Sequence, residues 1–338
     1  MTSVSNLEHS THLETVMNKL LSSLLVGTLL LFGAAPAAQA AFPEKPVTIV
    51  VGYAPGGTGD LSVRMLANPL EKILGQPVVI VNKGGGAGMP GFEYVLKSKP
   101  DGYTISAPGV GACISSAMFL RNKTYNFDDM SLVGGYMLLD RILLARPDKP
   151  YKTWQEFIDY VKAHPGKVSV GSGASQEATE VLRSFALKNG LDINFVMYKS
   201  GGEASADLIG GHIDACELGV GTAAYQAARK GELNVLLNLG LSDIPDIPNV
   251  PKLHADLGHP FYASLSYGFV LPKGTPEDIR ATWEKALRQA LADPQVQENM
   301  LKAGLAPKFI SPAEYRPMLD EATQNLVKLV DYIKDAKK

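Results

Sequence analysis

"VTIVVGYAPGGTGD", Val47 to Asp60, joins five consecutive β-branched residues to a glycine-rich turn. Bounded by Pro46 on one side and the glycines on the other, the apolar run reads as a buried strand. Beyond the turn, Leu61, Met65, Leu66, Leu70, Ile73 and Leu74 recur at helical spacing, and Pro69 is expected to kink that helix. A strand feeding a helix through a tight turn is the building unit of an α/β fold. Free backbone N–H groups at the helix start make the turn a ready anion site.

The unit recurs along the chain. "PVVIVNK" reads as a strand, "GMPGFEYVLKS" as a short helix and "GYTISA" as a strand opened by Pro100-Asp101-Gly102. A second series follows: "RILLARP", "VSVGSG", "INFVMY", "HIDACEL" and "LNVLLNLG" as strands, with helices at "TWQEFIDYVKAHPG", "QEATEVLRSFALKNG", "EASADLIGG" and "TAAYQAARKG". The proline-rich "SDIPDIPNVPKLHADLGHP" reads as a crossing. After the strand "SYGFVLPKGTP", amphipathic helices at about 276–292 and 312–334 are expected to pack back on the first sheet. This alternation predicts two mostly parallel sheets, with lobe 1 formed by 41–143 plus 265–338 and lobe 2 by 144–264. Both lobes carry a strand, a glycine-rich turn and a helix start, at Tyr53–Asp60 and at Gly171–Ser175.

Several chemistries are excluded. A formal net charge of −2 gives no electrostatic footprint for nucleic acid. No window supplies G-x-x-x-x-G-K-[ST], and "NKGGGAGMPG" matches a dinucleotide fingerprint only through its many glycines. There is no G-x-S-x-G, and His164, His212, His254 and His259 are scattered without ligand spacing. No cofactor, metal site or catalytic constellation is expected. Cys113 and Cys216 lie in apolar or small-residue runs; they could form a bridge, but read better as buried thiols.

The N-terminus carries its own pattern. From Met17, "MNKLLSSLLVGTLLLFGAAPAAQA" offers Lys19, an apolar core and the small-x-small signal Ala38-Gln39-Ala40. The core is shorter than the roughly 20 residues of a membrane span. Residues 1–40 therefore read as an N-terminal extension with a cleavable signal peptide. Met17 is a candidate true start, and the expected location is the periplasm.

The rest of the chain resembles the exported solute-binding receptors of tripartite tricarboxylate transporters, the Bug family. The resemblance rests on "PGGTGDLSVR", "PVVIVNKGGGAG", "KPDGYTI", "YVKAHPGKVSVGSG", "YKSGGEASADLIGGHIDA", "IPNVPKLHADLG" and "GFVLPKGTP" in that order. It implies a two-lobed periplasmic-binding-protein fold of type II, closing like a Venus flytrap on a mono-, di- or tricarboxylate, aromatic acids included. The implied role is a monomeric receptor, not an enzyme, that delivers the acid to the large and small membrane subunits of such a transporter. An exported α/β enzyme acting on a small acid, or a receptor reporting to a sensor kinase, are the competing readings. The chain departs from the family at Glu203, where a small apolar residue is usual, and in "LGLSDIPDIP", which lacks a common arginine.

Carried over by position, the ligand loops comprise Tyr53, Pro55, Gly56, Gly57, Thr58 and Asp60, and Gly171, Ser172, Gly173, Ala174 and Ser175. Thr58, Ser172 and Ser175 read as helix caps or as hydroxyl donors to the ligand. A carboxylate aimed at an acid would repel it, so Asp60 reads as a brace for the first turn. Tyr198 is expected to line the cleft or to pack in the core, and Asp214 to anchor the loop beside it. Arg141 opens an apolar strand, where an unpaired charge is costly; Asp140, Asp128 or a ligand carboxylate are its candidate partners. Trp154 and Trp283 read as packing residues.

Overall fold

The computed structural model describes residues 42–121, 126–173, 175–244 and 247–336. The signal-peptide reading of residues 1–40, with its Met17 start, lies outside the described residues, as does Ala174. In chain order the elements are β1 (Val47–Val51), α1 (Thr58–Leu74), β2 (Val78–Asn82), α2 (Met89–Leu96), β3 (Thr104–Ser106), α3 (Val110–Arg121) and β4 (Met130–Ala145). They continue with α4 (Trp154–Ala163), β5 (Ser169–Ser172), α5 (Gln176–Lys188), β6 (Asn194–Met197), α6 (Gly201–Gly210), β7 (Ala215–Gly219) and α7 (Ala223–Arg229). The last are β8 (Asn234–Asn238), β9 (Ser264–Pro272), α8 (Glu277–Ala292), α9 (Pro294–Lys302), β10 (Ala306–Ile310) and α10 (Pro312–Ala336).

The strands follow the order β2-β1-β3-β9-β4-β7-β5-β6, with β8 and β10 also paired to β4. Each outer set, β2-β1-β3 and β7-β5-β6, is parallel, as the alternation predicts. The centre is antiparallel instead: β4 pairs with β9 and β10 along its first part and with β7 and β8 along its second. β4 therefore belongs to both halves of the sheet.

At 16 residues β4 is far longer than the expected "RILLARP". Gly134 and Gly135 hide its first part, because glycine weakens a strand pattern; the register shifts against β9 on either side of this pair mark it as an irregular stretch of strand. Helix α3 also went unpredicted. Val110 to Ala117 are all buried, and a helix buried all round shows no periodic stripe.

Packing follows two patterns. Val47, Ile49, Val51 and Leu66 share a core with Phe269, Trp283 and Leu287, so α8 does return to the first sheet. The Trp283 indole donates to Gly102 O at 2.9 Å and fixes that return. Helix α10 also packs on β9 through Tyr315, whose hydroxyl donates to Ser266 Oγ at 3.2 Å, while its Leu326, Leu329 and Ile333 reach further and join a core with Val181 and Leu182 of α5. Cys113 and Cys216 are buried and form no disulfide with each other. No helix among the described residues is long and apolar enough to cross a membrane.

Candidate functional site

A small cavity of about 20 Å³ lies where the carboxyl ends of β1, β5, β6 and β7 meet. Such crevices are where open α/β sheets place ligands. Tyr53, Gly57, Thr58, Gly59, Gly173, Ser175 and Arg141 line it, together with Gly201, Thr222, Leu265 and Tyr267. The turns touch across it, and Thr58 Oγ1 donates to Val220 O at 3.3 Å.

The first turn is held by Asp60. Its Oδ2 accepts from Gly56 N at 3.0 Å and from Arg64 Nε at 2.8 Å, and its Oδ1 accepts from Asn82 Nδ2 at 2.8 Å. The same Asn82 amide donates to Tyr53 O, tying the end of β2 to the turn. Burial pushes the Asp60 carboxyl up, but bonds from Arg64, Asn82 and Gly56 hold it below the usual carboxylate range. The carboxylate is thus committed to the turn. Pro55 and Gly56 are exposed at the tip, outside the cavity lining; Gly56 supplies the left-handed φ of 85°.

The helix starts differ in one respect that matters. Ser175 caps α5, Ser200 caps α6 and Thr222 caps the short α7, each side chain accepting from a first-turn N–H. At α1 the N-cap is Gly57, with no side-chain cap. Asp60 N turns back to Gly57 O at 3.0 Å, and the Thr58 and Gly59 N–H groups face the cavity beside the positive end of the helix dipole.

Arg141 is buried at 3% exposure, and its partner is neither Asp140 nor Asp128 but Glu217 of β7, cross-strand from Leu143. Asp140 is taken by Ser264 and by Ser242 N, and Asp128 by Arg316. Burial opposes the guanidinium charge, yet Glu217 keeps its pKa above the ordinary arginine value. Ser172 donates to Glu217 Oε2 at 2.9 Å and receives Thr179 Oγ1 at 2.6 Å. Ser172 therefore orients the ion pair and does not line the cavity, and neither does Gly171.

One expectation fails on position, and for Tyr198 the core-packing reading is the one that holds. Asp214 precedes β7 and binds Lys149 and the Ser169 hydroxyl and N–H, at the amino ends of β5 and β7, far from the cavity. Its neighbours in sequence misled because a five-residue strand separates its two ends. Tyr198 is turned away: its hydroxyl donates to Asp207 Oδ2 at 2.7 Å on α6. Glu203, the departure from the family pattern, completes the α6 cap, with Lys199 N donating to its Oε2 at 3.1 Å.

Gly201 and Thr222 escaped the sequence reading although "KSGGEA" and "GVGTAA" repeat the strand, glycine turn and helix signature. Tyr267 and Leu265 carry no such signal, because only the β4–β9 pairing brings them in. Among the described residues the lining holds no histidine, cysteine or carboxylate.

A crevice at strand ends, closed by helix starts, is the kind of place in which a solute-binding receptor holds its ligand. The family described as "Tripartite tricarboxylate transporter family receptor" matches residues 62–334, and the chain belongs to that family, whose named members include the Bug proteins. Protein BugT of Bordetella pertussis is 30% identical over 298 residues, covering 86% of this chain and 90% of its own. The solved periplasmic binding protein BugD is 26% identical with a TM-score of 0.77, covering 88% and 99%. MatC from Rhodopseudomonas palustris, solved with bound malate, is 26% identical with a TM-score of 0.78, covering 86% and 100%. The fold is thus the α/β fold of periplasmic binding proteins, and the family consists of receptors, not enzymes.

Proposed function

We propose that this chain is a periplasmic receptor that captures a small organic acid between lobe 1 (41–143 plus 265–338) and lobe 2 (144–264) and hands it to the membrane subunits of a tripartite transporter. The observation that carries the reading is the uncapped start of α1, facing the Gly173 and Gly201 turns and Arg141. A carboxylate there accepts backbone N–H bonds from lobe 1 while lobe 2 closes on its other end. Glu217 already neutralises Arg141, so affinity comes chiefly from N–H groups and helix dipoles. The malate held by a relative of the same fold supports an acid as cargo.

Thermal-shift titration with malate, succinate, citrate, adipate and benzoate tests this. A ligand bound only by the folded state adds about 2.7 kcal/mol at a hundredfold excess over Kd. At least one acid raises Tm, and Gly57→Leu removes that rise. A cleft occupied by none of these acids, or a rise untouched by Gly57→Leu, overturns the proposal.

A further inference from the structure

A second cavity, of about 220 Å³, lies behind the first. Leu138, Asp140, Ser264 and Ser266 border it, whereas Arg141, Leu265 and Tyr267 border the cleft. Successive residues of a strand point to opposite faces. The two cavities are therefore on opposite sides of the β4–β9 ribbon, and α5 and α10 close the rear one.

Its walls are apolar: Val181, Phe261, Met318, Leu326 and Leu329 surround most of it. Its ionisable groups are acids: Asp140, Glu177 and Glu321 reach it, and no lysine or arginine among the described residues does. Asp140 is already bonded to Ser264 and Ser242. Glu177 is the unusual member: its side chain is 7% exposed, opens on the cavity and has no hydrogen-bond partner among the described residues. Burying an unpaired charge is costly, so the carboxyl holds its proton while the cavity is empty, and an ammonium that enters pairs with the carboxylate as that proton leaves to solvent.

We propose that this rear cavity is a second binding site, taking a small organic ammonium whose charged head pairs with Glu177 and whose apolar body fills the space along Val181, Phe261 and Leu326. An apolar cavity of roughly 150 Å³ accepts benzene, so a phenyl ring with a short aminoalkyl chain is of the right size. Phe261 and Tyr262 add aromatic faces toward the cation. The site lies on the opposite face of the ribbon from the acid cleft and does not rest on the receptor reading.

Calorimetric titration of the full chain tests it, with phenethylammonium chloride as probe and 2-phenylethanol and 3-phenylpropionate as matched neutral and anionic compounds. Phenethylammonium binds one to one and at least tenfold tighter than either. Glu177→Gln weakens it at least tenfold, Ala322→Phe abolishes it by filling the space, and Gly57→Leu leaves it unchanged. No binding of the ammonium overturns the proposal. So does equal binding of 2-phenylethanol, or a Glu177→Gln protein that binds as tightly as the parent. Because the acid cleft is read with acids and Gly57→Leu, failure of one site is distinguishable from failure of the other.

Discussion

Asp60 and Glu177 are both buried carboxyls, with opposite fates. Asp60 has three donors, so Asp60→Asn turns one acceptor into an N–H group aimed at Gly56 N, Arg64 or Asn82. Leaving such a donor unsatisfied costs about 1–3 kcal/mol. Urea unfolding at pH 7 should show that loss, with acid affinity falling only mildly; a tenfold rise in affinity would mean that the charge had opposed the ligand. Glu177 has no donor, and burial, reinforced by Glu217 and opposed by Arg141, pushes its carboxyl up to about 8 from 4.5. Asp140, Tyr262 and Glu321 also face it. Between those two values the folded state keeps a proton that the unfolded state has released, so this group's stability contribution falls as pH rises through the window. Glu177→Gln removes that dependence. Its Tm advantage over the parent should grow from pH 5 to pH 8, and a constant offset would refute the buried, unpaired state.

At the scale of elements, the strand–turn–helix units were legible because β-branched runs, glycines and 3.6-residue periodicity are local signals. Asp60 as a brace was legible for the same reason, since Gly56 and Arg64 are only four residues away on either side. Glu217 as the partner of Arg141 was not, since strand pairing between β4 and β7 leaves no mark in either segment. The glycine turns themselves make a further test available. A Cβ on Gly57 would stand 3.9 Å from Ser200 Cβ, within the 3.5–4.5 Å range of disulfides. Gly57→Cys with Ser200→Cys should therefore bridge β1–α1 to the α6 start under oxidising conditions. The oxidised protein should bind no acid and recover binding with dithiothreitol; unchanged binding while the bridge is intact would show that the acid enters by another path. The two native thiols are buried and leave this bridge unchallenged.

For the whole molecule, the two halves meet in places far apart in the chain. Gln226 Nε2 donates to Ala303 O at 2.9 Å and Arg229 Nη1 to Lys302 O at 3.2 Å, joining α7 to the end of α9. With Thr58 to Val220, these bonds join segments on either side of the small cavity. If capture proceeds by closure, whichever acid raises Tm should also reduce the radius of gyration in X-ray scattering, and Gly57→Leu should block the change. A radius indifferent to the acid would exclude closure. The antiparallel centre was the least legible part of the fold, because β9 reaches β4 across more than a hundred residues and Gly134 and Gly135 obscure the pattern they sit in.

That same centre sets the order in which the chain can fold. Asp140 waits for Ser264, 124 residues later, and Gly102 for Trp283, 181 residues later. Non-local pairings of this kind are slow to form. A fragment ending at Pro260 lacks β9 and α8 and should show no protease-resistant core around β1. The core around β1 thus stays open until β9 and α8 have been made, so its closing is among the last events of the chain's synthesis.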